Sequence, residues 1–165
     1  YPDQELAAEL AFTYAGLDQL LAESDVVSLH CPYSESTHHL LNEENLSRIK
    51  PGAVIINTAR GALIDSDALL QALSDERVSA AAIDVLEEEG MIREETEILT
   101  SRYKQRVDLH TVLVDHVLLR HPRVLVTPHS AFNSTEAIHR ILGTTVENVL
   151  AIERGQAINT VSSSQ

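Results

Sequence analysis

The sequence predicts an α/β fold, a parallel β-sheet with helices on both faces. Three observations predict it. Four apolar runs rich in β-branched or small residues recur along the chain, at 25–32, 53–59, 78–85 and 123–129. The segments between them carry helix start and stop signals. The runs are continuous rather than alternating, which is the pattern of strands buried on both sides.

The elements follow in order. QELAAEL (4–10) reads as a short helix, AFTY (11–14) as a short strand, and LDQLLAES (17–24) as a helix. DVVSLHCP (25–32) is a buried strand that stops at Pro32. Asn42 is the N-cap of a helix over EENLSRIK, with Glu43 and Glu44 in its first turn. Pro51-Gly52 is a turn, and AVIINTA (53–59) is a second buried strand ending at Arg60-Gly61. Asp65 or Ser66 caps a helix over DALLQALSDE (67–76), and VSAAAIDV (78–85) is a third strand. Residues 87–106 are highly charged and partly helical, and Leu109–Leu119 carries apolar residues at helical spacing. RVLVTPH (123–129) is a fourth short strand, cut off by Pro128. A long helix spans 134–155, with Ser134 as cap and Gly155 as stop.

Composition excludes several classes. Twelve Lys and Arg against 25 Asp and Glu give a formal charge of −13, which disfavours nucleic acid and anionic membrane surfaces as partners. The apolar content of 44% is too high for a disordered chain. No apolar run approaches the ~20 residues of a membrane span, and no signal peptide is visible. The lone cysteine, Cys31, excludes a disulfide framework and a cysteine-based zinc cluster. It fits a reducing, cytoplasmic compartment. The six glycines never stand two residues apart, so the chain holds no G-x-G phosphate loop.

In a parallel sheet, ligands bind beyond the carboxyl ends of the strands. The polar groups expected there are His30-Cys31-Pro32, Asn57-Thr58-Ala59-Arg60, Asp84 with the glutamates after it, and His129-Ser130. Arg60 is either a surface arginine paired with a carboxylate or a planar fork offered to an anionic substrate. His129 is either structural or a proton donor and acceptor near neutral pH. Of Glu87, Glu88 and Glu89, two are expected on a solvated face, and one is expected to face the site and bond His129. Asp84 is a strand-end cap or a site carboxylate. His38 and His39 are adjacent and cannot easily share one ion, and His110, His116 and His121 lack the HExxH spacing, so no metal is expected. Cys31 reads as a small buried hydrophobe rather than a nucleophile.

Four stretches then resemble one family in its own order: DVVSLHCPYSESTHHLLN (25–42), LSRIKPGAVIINTARGALIDSDALLQAL (46–73), AAIDVLEEE (81–89) and RVLVTPHSAFNSTEAIHRI (123–141). The chain resembles the NAD-dependent D-isomer-specific 2-hydroxyacid dehydrogenases. The long segment from Gly90 to His121 is similar to D-lactate dehydrogenase-like branches. The resemblance implies a Rossmann-like domain, incomplete at its N-terminus, that binds NAD and acts on a small 2-oxo acid/2-hydroxy acid pair. It implies that Arg60 binds the substrate carboxylate, that His129 is the acid/base, and that Glu89 pairs with that histidine. Asp84 matches the aspartate beside the nicotinamide carboxamide, and Thr58 and Ala59 match positions at the nicotinamide end. Cys31, Pro32 and Thr37 match positions near the adenosine. Ala131 and Phe132 match residues flanking the cofactor and substrate pocket. The full-length protein is implied to be a homodimer.

The departures from the family pattern matter. The glycine-rich loop and the acidic residue of the following strand would precede Tyr1, and the substrate domain is missing. Residues 1–153 are therefore expected to be the C-terminal part of the NAD-binding domain. Residues 154–165 are expected to begin the return toward the substrate domain, and the chain alone is expected to bind NAD weakly and to be inactive. A non-enzymatic, NAD-sensing interaction module on the same fold is the alternative. A formate dehydrogenase is disfavoured, because those pair the histidine with a glutamine where this chain has Glu89.

Overall fold

The computed structural model describes residues 2–87 and 109–160. The expected helical content of 88–106, and Glu89 within it, lie outside the described residues. The chain divides into two compact units, Tyr1–Pro128 and His129–Gln165.

The first unit is built on four parallel strands, β1 (Val26–Leu29), β2 (Ala53–Asn57), β3 (Val78–Ile83) and β4 (Val124–Val126), in the order β1-β2-β3-β4. Among the described residues it also holds helices α1 (Gln4–Leu10), α2 (Leu17–Glu23), α3 (Glu43–Leu46), α4 (Ser66–Ser74) and α5 (Leu109–Leu118). This is a Rossmann-like α/β arrangement, as the continuous apolar runs predict. Leu21 of α2, Leu46 of α3, Leu69, Ala72 and Leu73 of α4 and Leu118 of α5 bury against Leu29, Ile55, Val78 and Ile83 of the sheet. Each fully buried leucine contributes about 1.5–3 kcal/mol by leaving water.

Local chemistry sets the element ends. The Asp3 carboxylate accepts the amides of Glu5 and Leu6 at 3.1 and 3.0 Å and starts α1. The Asp65 carboxylate accepts the Ala68 amide at 3.1 Å, so Asp65 rather than Ser66 caps α4. Asn42 and Asn45 cap α3 reciprocally, each side chain accepting the other's amide, at 3.2 and 3.0 Å. At the far end of α4, Arg77 hydrogen-bonds Asp75 and holds its carboxyl below the ordinary range.

Two local expectations fail. Residues 11–14 form no strand: Ala11 turns left-handed (φ 55°) to end α1, and nothing among the described residues pairs with the next four. A strand is held by its ladder, and without a partner strand the apolar pattern does not suffice. Phe12 and Tyr14 pack edge to face instead, with ring centres 5.2 Å apart. The helix after Asn42 is only four residues long. The Ser47 hydroxyl donates back to the Glu44 carbonyl at 2.6 Å, and the chain tightens into turns before Pro51.

The second unit is dominated by α6 (Thr135–Glu153). The Ser134 hydroxyl accepts the Ala137 amide at 3.1 Å, as its position predicts. Gly155 ends the helix with φ +73°, its amide bonding the Ile152 carbonyl at 2.9 Å and that of Gln156 bonding the Ala151 carbonyl at 2.8 Å. That paired closure requires a left-handed residue, which glycine supplies at least cost.

Candidate active site

The register aligns the strand ends. Leu29 pairs with Asn57, Asn57 with Ile83, and Ile83 with Val126. The loops after β1, β2 and β3 therefore leave one edge of one sheet, where parallel sheets bind ligands. Cys31, Pro32, Thr37, Thr58, Ala59, Arg60 and Asp84 all lie on these three loops.

The loop after β2 is shaped from beneath by Asn57. Its side chain is 1% exposed, accepts the Ala59 amide at 3.0 Å and donates to the Arg60 carbonyl at 2.8 Å. Its carboxamide carries both the acceptor and the donor that this arrangement uses. Thr58 and Arg60 stay exposed, and Ala59 packs on the core. The Arg60 guanidinium donates to the Ala59 carbonyl at 2.7 Å and pairs with no carboxylate among the described residues. The reading of Arg60 as half of a surface ion pair is therefore not met there. Gly61 follows because nothing larger fits: a Cβ would sit 2.0 Å from the Leu86 carbonyl oxygen.

After β1, Cys31 packs against the core as a small apolar side chain. The Thr37 hydroxyl accepts the Ser34 amide at 2.7 Å and donates to the Pro32 carbonyl at 2.9 Å, closing the turn. After β3, Asp84 is buried, its amide bonds the Asn57 carbonyl at 2.9 Å, and its carboxylate accepts the Thr127 hydroxyl. Glu87 corrects an expectation. It is no solvated charge: its side chain is 14% exposed, and it takes His39 Nε2 at 2.6 Å and the Ser66 amide at 3.3 Å. That pairing joins residues 48 positions apart, and no local pattern announces it.

His129, Ala131 and Phe132 belong to the second unit. His129 adopts a left-handed backbone (φ 51°), a conformation that costs a non-glycine residue on the order of 1 kcal/mol. Phe132 is 56% exposed and Ala131 is exposed. Two residues, Thr127 and Pro128, separate His129 from the end of β4.

A profile of the family described as "D-isomer specific 2-hydroxyacid dehydrogenase, NAD binding domain" matches residues 1–131. The chain belongs to this family. It is 41% identical over 139 residues to 2-hydroxyacid dehydrogenase A of Aspergillus oryzae, covering 82% of this chain and 37% of that protein. It is 38% identical over 153 residues to the D-lactate dehydrogenase of Escherichia coli K12, covering 91% and 43%. The solved D-lactate dehydrogenase of Aquifex aeolicus, complexed with NAD and lactic acid, superposes with a TM-score of 0.79 at 36% identity, covering 94% and 44%. The chain thus spans less than half the length of these relatives.

The residues present fit one end of the dinucleotide. The sheet edge offers an exposed threonine, a buried aspartate and an arginine on neighbouring strand ends. No glycine-rich turn for the pyrophosphate occurs in the sequence.

Proposed function

We propose that the whole protein carrying this chain interconverts a 2-oxo acid and a D-2-hydroxy acid. The observation that carries the reading is Arg60, an exposed guanidinium on a side-chain-locked loop at the carboxyl edge of an NAD-binding-family sheet. NAD(H), when bound, supplies or accepts the hydride. Arg60 grips the substrate carboxylate through its planar fork and adds positive potential near the reacting oxygen. His129, as imidazolium, gives its proton to the C2 oxygen and takes it back in the reverse direction. The family resemblance implies Glu89 as the carboxylate that favours the charged ring. Asp84, Thr58, Ala59 and Ala131 line the nicotinamide end, Cys31, Pro32 and Thr37 the adenosine end, and Phe132 the substrate side.

The reading extends to architecture. Residues 1–153 belong to the cofactor domain, and 154–165 begin the return toward a substrate domain. The whole protein is a cytoplasmic homodimer. The charge of −13 speaks against nucleic acid or an anionic membrane as a partner, and no helix among the described residues is long and apolar enough to cross a membrane. The 165-residue chain alone binds NADH weakly and turns nothing over, because the pyrophosphate loop is not in it.

The test is NADH oxidation by the whole protein with a panel of 2-oxo acids, pyruvate first, since relatives named D-lactate dehydrogenase are among the matches. Reduction to the D-hydroxy acid is expected; no turnover with any member of the panel overturns the reading. Calorimetric titration of the isolated chain with NADH is expected to give no micromolar binding.

A further inference from the structure

We propose that Glu87 and His39 are positioning residues that fix the Arg60 loop by tying the exits of β1 and β3 to it. The inference rests on the substrate-binding role proposed for Arg60. Three features carry it.

The first is the reach of Glu87. One carboxylate oxygen takes His39 Nε2 at 2.6 Å, from the loop after β1. The other takes the Ser66 amide at 3.3 Å, at the start of the helix that follows the Arg60 loop. One largely buried side chain on the exit of β3 therefore holds both neighbouring crossovers.

The second is the setting of His39. It adopts a left-handed backbone (φ 47°), uncommon for a residue other than glycine. Its amide donates to the Ala62 carbonyl at 2.9 Å, two residues past Arg60. The lacing continues through the Leu41 amide to the Leu63 carbonyl at 3.0 Å and the Asp65 amide to the Leu41 carbonyl at 2.9 Å. Asp65 flanks the other ring nitrogen at 3.7 Å, and the His38 ring stacks on the His39 ring with centres 3.9 Å apart. Among the described residues, Glu87, Asp65 and His38 are the titratable groups around this imidazole.

The third is Gly61. Its contact with the Leu86 and Glu87 backbone leaves no space for a side chain. The chain just after Arg60 is thereby pressed between the exit of β3 on one side and His39 on the other. An exposed surface contact of this kind contributes little, but this one is part-buried and closes a three-loop junction. Releasing it widens the range of positions open to the guanidinium, and substrate capture suffers before proton transfer does.

The test uses Glu87→Ala, His39→Ala and the double variant in the whole protein. Each single variant is expected to raise KM for the 2-oxo acid about tenfold with kcat within about twofold. The double variant is expected to be no worse than either single one, as for partners in one contact. Amide exchange at residues 60–66 is expected to accelerate while the amides of Val27 and Ile55 keep their protection. Unchanged KM with unchanged exchange overturns the proposal, as does acceleration across the whole sheet. If the wild-type protein reduces no 2-oxo acid, the proposed function falls and the exchange pattern alone decides the clamp. If Glu87→Ala does not fold, His39→Ala, at a part-exposed ring, carries the same test.

Discussion

Arg60 and His129 are the two residues with most chemistry to offer, and the chain holds their segments by different means. The Arg60 loop is shaped by partners from distant sequence: His39 and Ser66 meet through Glu87, and Gly61 lies against Leu86. The segment after His129 carries short-range bonds, Asn133 to Ser130 at 2.9 Å and Ser134 to Phe132 at 2.9 Å, leading into a self-capped helix. Of that helix only Ala151 is buried, whereas five of the nine residues of α4 are. The loop of the proposed substrate grip is therefore tied to distant sequence, and the approach from the proposed acid/base to α6 includes local backbone bonds and a cap. Damage should follow the same division, and four substitutions test it in order of expected size.

His129→Gln in the whole protein should lower kcat by about 10²–10⁴-fold, the ordinary worth of a general acid. NADH affinity and the unfolding midpoint should barely move. Loss of NADH binding instead would make His129 a structural residue. Gly61→Ala should destabilise by about 2–4 kcal/mol, because the new methyl meets backbone, which cannot rotate away. A urea-unfolding midpoint within error of wild type would show that the junction has room for the methyl.

Asn57→Ala should destabilise by about 1–3 kcal/mol through two backbone groups left without their partner. It should also raise KM for the oxo acid, and if stability falls while KM stays put, Asn57 supports the sheet and not the Arg60 loop. Ser134→Ala is the smallest, about 1 kcal/mol from a lost cap. Its amide-exchange signature should stay within the first turn of α6. Spread of that signature into β2 or α4 would erase the proposed contrast between the two regions.

Much of this was legible residue by residue. Asp3 was not foreseen as a cap, but Asn42, Ser134 and Gly155 act where their side chains or φ angles allow, and Asp65 takes one of two places the sequence left open. The four strands begin and end within a few residues of the apolar runs. Phe12 and Tyr14 misled because a β-favouring pattern states what a segment tolerates, not whether a neighbour exists to pair with it. Asn57 stood among the strand-end groups without a role, since its double bond to Ala59 and Arg60 depends on the path the loop takes. Glu87 looked like one of three surface charges because nothing nearby in sequence marks His39 as its partner.

The sequence by itself determined the alternation of strands and helices, the caps, and the family to which NTARGALID, DVLEEE and TPHSAF point. These depend on side-chain periodicity and on short-range hydrogen bonds, which neighbours in the chain can specify. Only the tertiary structure decided that Gly61 must lack a side chain, that Glu87 is partly buried against His39, and that His39 bends left-handed beside the arginine loop. Those outcomes come from crossovers meeting at one sheet edge, where groups tens of residues apart share space that no local segment can foresee.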